Sequence, residues 1–536
     1  MTVDMFNKLN DLDIDDVLDR RDVDERVAEE GSGTEDYSLR RVPATWRWSS
    51  WGALWSWSGL NTAMAFPLTA GLSAMFYGGT ATLIAFAMTL AYAAIGVYYF
   101  AKKSAEEGAL EVLMSKQSFG FIGASYQFII YGLLGALYFA LEGHVMASSL
   151  SEMTGWSPFL SAAVVCITFI PLSIYGMKFL ALFQGATIWL YIAGIALVLY
   201  SITSNVNPDV SVANFTDSWW LVNPSNAPLN WVTVFSAFGA IAGVLGAILV
   251  LICTEQARFA RRTEARKAGF LFAGLGATVC LLVTPALGVF LLASTGGKIP
   301  DPGVSITKLL GGLGLALIML TQLRVNVINV YIGTNALENF SSIVFKRNWH
   351  RTALILPFLV ICYCLIVSPW LEKFGVIMTM LSVFIVNWVN VMLGDFLLVR
   401  GRFGIPQFSE FRRGYVPSYN KIGLISMWVP TVVGVIMGSG TFGPQISALA
   451  VPVTGVAAFL MPAIIASMMS RESVVRQFVA RAPVPTKSLS VIHICPIEKK
   501  PHHRSDFVLC PYHKNQFISS TACATEKNCG TMCHKF

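Results

Sequence analysis

Twelve long apolar stretches constrain this 536-residue chain more than any other feature of its sequence. Each stretch covers at least 18 residues, and an α-helix of that length crosses a bilayer core of about 30 Å. Charged residues make up only 13% of the chain, against about 25% in soluble domains. We therefore predict an all-α polytopic membrane protein with about 12 transmembrane helices.

The basic residues predict how these helices are oriented. The predicted spans lie at residues 51–77, 79–100, 121–149, 158–177, 179–203, 232–254, 268–294, 305–334, 352–370, 374–399, 421–440 and 444–468. With a cytoplasmic N-terminus, the cytoplasmic loops and their edges carry seventeen Lys and Arg residues and the outer loops carry three. This bias predicts that both termini are cytoplasmic. We expect a multi-pass protein of the cell membrane, either plasma or inner.

The two tails differ from the body of the chain. Residues 1–40 contain thirteen Asp or Glu against five Lys or Arg, a composition typical of disordered segments. The last 50 residues hold five of the ten Cys and five of the seven His. Their spacings match no compact zinc-ligand pattern, so we predict no metal site and a tail without a packed core.

Two spans that lie five apart are interrupted by helix-breaking residues. The first span contains Gly59, Asn61, Pro67 and Gly71, and the sixth contains Gly239, Gly243 and Gly246. Paired interruptions of this kind indicate an inverted-repeat transporter with its substrate at the breaks. For the sixth span alone, tight helix packing through Gly239 and Gly243 is an equally good explanation.

The third and eighth spans, also five apart, carry polar side chains at membrane depth. Tyr138 and Glu142 are four residues apart in the third span and share a helix face. The eighth span contains Thr321, Gln322, Arg324, Asn326, Asn329 and Tyr331. So many polar side chains are too costly to face lipid, so we predict that they line a cavity or pair with other spans.

These residue types suit a flat heteroaromatic ligand. Tyr138, Phe235 and Phe238 offer aromatic faces for stacking. Glu142 accepts hydrogen bonds from ring N–H groups, and Asn amides bind both donors and acceptors. A few polar groups in an apolar pocket are typical of a small-molecule site.

The chain resembles the nucleobase–cation symport-1 transporters, which include the purine/cytosine permeases. The resemblance covers roughly residues 45–470 and rests on "QSFGFIGA", "LYFALEG", "EQARFARR", "TQLRVNVINVYIGTNALENF", "GDFLLVRGRF" and "YNKIGLISMWVP". It implies a leucine-transporter-like fold of two inverted five-helix repeats plus two helices. The implied division is an acidic cytoplasmic tail at 1–45, repeats at 46–203 and 204–400, two additional helices at 401–470 and a cytoplasmic, disordered tail at 471–536.

The resemblance also implies site residues and substrates. Family members carry nucleobases, hydantoins, allantoin and some vitamins. The family often places an aromatic residue and, four positions on, a Gln in the third helix, which here are Tyr138 and Glu142. Asn326 or Asn329 would join them from the eighth helix. The predicted substrate-binding set is Asn61, Tyr138, Glu142, Phe235, Phe238, Gly243, Asn326 and Asn329.

The coupling cation is predicted from the same helices. Sodium-coupled members bind Na⁺ through a Ser/Thr pair on the eighth helix, and this chain has Arg324 near that place. We predict that Arg324 replaces the sodium ion and that Glu142 carries a proton, with Thr321 beside them. The alternative is that Glu142 and Arg324 form a buried ion pair that only joins two helices.

We therefore predict a secondary active transporter that imports a nucleobase or related N-heterocycle, with cytosine or a purine favoured. The coupling ion would be H⁺, with Na⁺ as the alternative, and the only other partner is the lipid bilayer. A membrane sensor that binds the same ligands without moving them is the rival hypothesis. The spans contain no catalytic motif, so we predict no enzyme and no cofactor. The absence of a basic, aromatic-rich run argues against nucleic acid.

Overall fold

The computed structural model describes residues 37–529 except 38, 43–45, 175–176, 348, 370–373, 482, 485, 487 and 490–491. Nine helices in this part of the chain are long and apolar enough to cross a membrane. The segment before residue 37 lies outside the described residues, so the disordered acidic tail remains a prediction.

Helices of the first predicted repeat follow one another with short connections. The first span is split into α1 (Ser50–Trp57) and α2 (Ala65–Tyr77), with a 3₁₀ turn at Leu60–Thr62 between them. The remaining helices are α3 (Gly79–Glu107), the short α4 (Glu111–Phe119), α5 (Ser125–Thr154), α6 (Pro158–Leu172) and α7 (Met177–Thr203).

The second predicted repeat contains several π-helical turns. The sixth span consists of α8 (Trp231–Ile241) and α9 (Ile248–Ala257), joined by a π-helical turn at Ala242–Ala247. The seventh consists of α10 (Ala265–Leu271) and α11 (Thr284–Ser294), with π turns at Phe272–Ala277 and Val279–Val283. Then follow α12 (Pro302–Leu310), α13 (Gly312–Val344), α14 (Arg351–Val367) and α15 (Phe374–Gly394), which continues through a π turn at Asp395–Val399 into α16 (Arg400–Phe403).

The rest of the chain adds two further spans and a small folded tail. These elements are α17 (Lys421–Gly438), α18 (Pro444–Ala448), α19 (Ala450–Ser467), α20 (Arg471–Phe478), β1 (Ile492–Ile494), β2 (Pro501–His503), β3 (Phe507–Cys510), β4 (Gln516–Ser519) and α21 (Ser520–Thr525). Strands β1 and β2 pair antiparallel, as do β3 and β4.

Most predicted spans agree with these helices, and the eighth shows an instructive difference. The prediction runs a single helix over residues 305–334, whereas the structure ends α12 at Leu310 and begins α13 at Gly312. Gly311 between them has φ +58°, a left-handed conformation that only glycine adopts without strain. Hydropathy alone does not predict that break because the residues on both sides are apolar.

The two spans that carry buried polar groups lie against each other. Helices α5 and α13 make the most extensive contact in the described bundle. Their backbones approach closely, since a Cβ on Gly135 would lie 2.9 Å from the Cα of Gly333. Small residues at such crossings let membrane helices pack tightly. Of the polar side chains predicted at membrane depth, Gln322 of α13 lies next to Glu142 of α5, whereas Arg324 of α13 bonds to the first and fifth spans.

Buried cationic side chains gather at one end of the bundle. They are Arg41, Lys103, Lys116, Arg258, Arg351 and Arg400, each at most 7% exposed. The chain before α1 lies at this end, because Trp48 N–H donates to the Phe259 carbonyl at 2.6 Å. We call this the basic end, and it is the end predicted to be cytoplasmic.

The prediction of a disordered tail over residues 471–536 does not hold for the described part of that tail. Helix α20 and the two hairpins are ordered, and Phe507, Ile518 and Cys523 pack around Tyr415. Tyr415 lies in the loop after the tenth span, so this cluster includes a residue from outside the tail. The composition of the tail alone therefore underestimates its order. Cys533 and His534 lie outside the described residues.

Candidate functional site

The break in the first span leaves polar backbone groups inside the bundle. Helix α1 ends at Trp57 and α2 begins at Ala65, with the 3₁₀ turn between them. The first N–H groups of a helix have no partner within it. At α2 these groups point into the protein interior, because Met64 and Ala65 are both buried.

Glu142 from the third span accepts hydrogen bonds from the free N–H groups at the N-terminus of α2. Met64 N–H donates to Glu142 Oε2 at 2.8 Å, and Ala65 N–H donates to Oε1 at 2.9 Å. The carboxylate is only 1% exposed, and its negative charge meets the positive end of the α2 dipole. Glu142 thus ties the third span to the break in the first. Its position at membrane depth is explained by backbone donors that the sequence pattern does not reveal.

Helix α13 presents a polar face beside this carboxylate. Gln322 lies next to Glu142, and both atoms of its buried amide lack a hydrogen bond of normal geometry to any described residue. Four residues on, Asn326 Oδ1 accepts from Asn329 Nδ2 at 2.9 Å, while Asn326 Nδ2 has no partner among the described residues. A buried unpaired polar group costs about 1–3 kcal/mol. These amides are therefore suited to bind a ligand.

Gln322 is not among the predicted substrate-binding residues, although the sequence contains the signal for it. Its spacing of four and seven residues from Asn326 and Asn329 places all three on one helix face. The polar stretch "TQLRVNVINV" is therefore sufficient to add Gln322 to the predicted substrate-binding residues.

Tyr138 connects the third span to the sixth. Its hydroxyl donates to the Val244 carbonyl in the π turn at Ala242–Ala247. Phe235 and Phe238, just before that turn, form a T-shaped pair with centroids 6.2 Å apart. π turns inside α-helices are frequent at functional sites. The structure thus brings Tyr138, Glu142 and Gln322 to the junction of the first, third, sixth and eighth spans.

Asn61 has a different environment from the one predicted. Its Oδ1 accepts from Trp57 Nε1 at 3.1 Å and contacts Cys280 Sγ at 3.1 Å. Trp57 lies in the first span and Cys280 in the seventh, so the Asn61 amide oxygen is bonded within its own span and faces the seventh. The prediction that Asn61 binds substrate therefore gains no support from this geometry.

Gly243 is a packing residue at the contact with the tenth span. Its N–H donates to Ser382 Oγ at 3.0 Å, and a Cβ on it would overlap the Ser382 backbone. The packing explanation left open for the sixth span therefore accounts for Gly243, in place of substrate contact. It does not account for Gly239, because the nearest atom to a Cβ placed there would be 3.8 Å away, an ordinary van der Waals distance.

These two glycines provide a matched test of packing. We expect Gly243→Ala to lower the free energy of unfolding by about 1–3 kcal/mol, the usual effect of overpacking. Gly239→Ala, in the same span, should change the free energy of unfolding by less than about 1 kcal/mol, since the site has room for a Cβ and alanine favours the helix. Thermal unfolding of the detergent-purified variants measures both. Equal melting temperatures would contradict the assigned role of Gly243.

Arg324 bridges three spans without a carboxylate. Its guanidinium donates to Ser58 Oγ at 3.0 Å and Thr62 Oγ1 at 3.3 Å at the break of the first span, and to the Gln184 carbonyl at 2.7 Å and Thr187 Oγ1 in the fifth. The side chain is fully buried. Its charge is therefore met by neutral oxygens.

The alternative of a Glu142–Arg324 ion pair is not what the structure shows. Among the described residues, the hydrogen bonds of the two groups go to separate partners. Thr321 does not join either of them, because its hydroxyl donates to the Ile318 carbonyl of its own helix at 2.8 Å. No group of three or more metal-ligand side chains occurs within the described ranges.

Comparison with known proteins identifies the fold. Mhp1, a nucleobase-cation-symport-1 family transporter, in a closed conformation with bromovinylhydantoin bound, aligns with a TM-score of 0.59 at 17% identity, covering 83% of this chain and 98% of that one. Its inward-facing conformation aligns with a TM-score of 0.59 at 16% identity, covering 84% and 98%. A substrate-bound, outward-open Na⁺-coupled sialic acid symporter aligns with a TM-score of 0.52 at 12% identity, covering 87% and 97%.

The comparisons confirm the predicted fold class. No protein-family model matches the sequence, and no curated protein matches it. The structural matches extend over most of this chain, so the leucine-transporter-like architecture expected from the resemblance is the fold of this multi-pass membrane protein.

Proposed function

We propose that this protein is a secondary active transporter that imports a nucleobase or related N-heterocycle by cation symport. The observation that carries the proposal is that both amide atoms of Gln322, next to Glu142, and Nδ2 of Asn326, four residues further along α13, have no hydrogen bond of normal geometry to a described residue. These groups lie where the broken first span meets the third and eighth, inside a fold shared with a transporter solved with bromovinylhydantoin. A heterocycle with ring N–H and C=O groups would satisfy such amides.

The charge at the break favours a neutral or cationic substrate over an anion. Half-helix N-termini of transporters can bind anionic substrate groups directly. Here the N–H groups of Met64 and Ala65 are already occupied by the Glu142 carboxylate. An anionic substrate would have to displace Glu142 from those N–H donors and would be repelled by its carboxylate. Cytosine and the purines, which are rich in N–H donors, fit this site better.

Arg324 is proposed to take the place of a sodium ion. An Arg side chain keeps its charge at physiological pH, and this one donates to oxygens of the first and fifth spans from the eighth. A positive charge held permanently there leaves no need for Na⁺, so H⁺ would be the coupling ion. Glu142 is the proposed proton carrier. Its protonation would weaken the charge-assisted bonds to Met64 and Ala65 and so link the proton to the position of α2.

The rival function is a sensor that binds the same ligand without transport. Counterflow in proteoliposomes separates the two functions. Vesicles are loaded with an unlabelled heterocycle, and entry of the same labelled compound is measured for cytosine, adenine, hypoxanthine, uracil, allantoin, hydantoin and thiamine, with protein-free liposomes as the control. We expect transient accumulation of at least one of them. Saturable binding to the purified protein without counterflow would favour the sensor.

A further inference from the structure

A second buried carboxyl group lies at the basic end, away from the substrate site. Glu111 opens helix α4 and is fully buried. Its Oε2 accepts a hydrogen bond from the Thr254 hydroxyl, which in turn accepts from Glu111 N–H at 3.0 Å. Oε1 has no hydrogen-bond partner in the described part of the chain. A buried carboxylate with one unsatisfied oxygen is costly unless it is protonated.

The adjacent residue of the sixth span adds a second carboxylate. Glu255 is fully buried and lies 3.3 Å from Arg258, measured between Oε2 and Nη2. Arg258 also donates to Tyr331 Oη at 2.9 Å and to the Tyr37 carbonyl at 2.8 Å. In the described part of the chain, Arg258 therefore forms an ion pair with Glu255 and donates to neutral oxygens, and it acts on Glu111 through space.

Few other groups act on Glu111. The titratable and charged side chains that face it are Glu255 and Arg258 of the sixth span, Cys253 beside them and Tyr131 of α5. Lys116, on the same short helix, instead donates to Asn339 Oδ1 at 3.0 Å. Burial, and then repulsion from Glu255, raise the pKa of Glu111 well above its ordinary value. The two carboxyl groups, Glu111 and Glu255, have one guanidinium between them. This arrangement favours the state in which one of the two carboxyl groups is protonated.

Two tyrosines of α5, Tyr131 and Tyr138, are placed along the helix between this pair and Glu142. Tyr131 and Tyr138 are seven residues apart, and Glu142 follows four residues later, so the three lie on one helix face. Tyr138 bonds to Val244 of the same span that carries Glu255. The Tyr131 hydroxyl is buried and has no partner among the described residues. The sixth span therefore meets this face at two places, at Tyr138 through the Val244 carbonyl and near Tyr131 through Glu255.

We propose that Glu111, paired with Glu255, is the proton-release site of the transport cycle. This inference rests on the proposed symport. In the closed state one proton is held on the Glu111 carboxyl. When the basic end opens, water reaches the pair, the Glu111 O–H bond breaks, and the proton passes to water and leaves a carboxylate.

The environment of Glu111 determines whether the carboxyl holds its proton or releases it. A carboxyl whose pKa is raised by burial holds its proton up to a higher pH than an exposed carboxyl does. Exposure to water returns the pKa of Glu111 towards about 4.3, the ordinary value for Glu, so the proton dissociates at the same pH. Opening of the basic end and proton release are thereby linked.

Infrared spectroscopy tests the closed state without any substrate. We expect the purified full-length protein at neutral pH to show the carbonyl band of a protonated carboxyl, and Glu111→Gln to remove one such band. Glu106→Gln, at a carboxylate that is 43% exposed and pairs with Lys102, should leave it unchanged.

Glu255→Gln should shift the titration of the Glu111 band to lower pH, because the repelling charge of Glu255 is gone. Spectra of wild type and Glu111→Gln that do not differ in this band would overturn the proposal.

Transport tests the release step separately. In Glu111→Gln proteoliposomes, we expect accumulation driven by a pH gradient to fall at least about tenfold while counterflow stays within about twofold of wild type. Undiminished pH-driven accumulation would contradict the role of Glu111. Failure of the wild-type protein to show counterflow would instead count against the proposed transport function, and the infrared result would still decide whether Glu111 holds a proton.

Discussion

Glu142→Gln is expected to lower the initial rate of uptake by at least about tenfold and to abolish accumulation driven by a pH gradient. The glutamine side chain has one acceptor oxygen, so it can accept from Met64 or Ala65 but not from both in the present geometry. A hydrogen bond to a charged group contributes about 1.5–3 kcal/mol, and about 1.4 kcal/mol corresponds to a factor of ten. The substitution also removes the group proposed to carry the proton.

The control for this variant lies on the same helix. Glu152→Gln changes a partly exposed carboxylate that pairs with Lys308 at 3.0 Å near the end of α5, and we expect uptake within about twofold of wild type. Labelled substrate uptake and equilibrium binding are measured for both variants. Retained pH-driven accumulation in Glu142→Gln would exclude Glu142 as the proton carrier.

Arg324→Ala is expected to lower uptake at least about tenfold in the absence of sodium and to make the remaining activity sodium-dependent. Removal of the guanidinium leaves Ser58, Thr62, Thr187 and the Gln184 carbonyl around an empty space. Oxygens of this kind, next to an unwound helix, coordinate Na⁺ in transporters of this architecture. Sodium should therefore partly restore uptake by occupying the position that the guanidinium holds in the wild type.

Arg324→Lys is the matched control, because it keeps a positive charge with fewer donors in a different geometry. We expect partial uptake that does not respond to sodium. Uptake is compared in sodium and choline buffers at equal ionic strength. An Arg324→Ala variant that is inactive in both buffers yet unfolds like the wild type would show that Arg324 does not stand in for a cation.

Much of the fold follows from the sequence because it depends on patterns that are local to each helix. The apolar stretches predict the spans, and the breaking residues around Asn61 predict the interrupted first helix. Polar residues in the third and eighth spans cannot face lipid, and the structure packs those two helices together. Each of these inferences requires only periodicity and the cost of burying polar groups.

The roles of individual side chains were less predictable because they depend on partners that are distant in sequence. Glu142 binds backbone groups 77 and 78 positions away, and the partner of Glu111 is 143 positions away. Gly243 fits either a site or a packing role until its neighbours are known, and the contacts of Asn61 with Trp57 and Cys280 are not evident from the sequence. The packed cluster of the C-terminal tail likewise includes Tyr415, which lies outside the tail.

Gradient-driven accumulation of a labelled heterocycle in proteoliposomes is the decisive measurement. Each member of the panel from cytosine to thiamine is tested with an inward proton gradient, and separately with an inward sodium gradient at equal pH on both sides. Concentrative uptake of cytosine or a purine under the proton gradient, with none under sodium alone, is the expected result. Accumulation that requires sodium, or no accumulation under either gradient, would contradict the proposed proton symport.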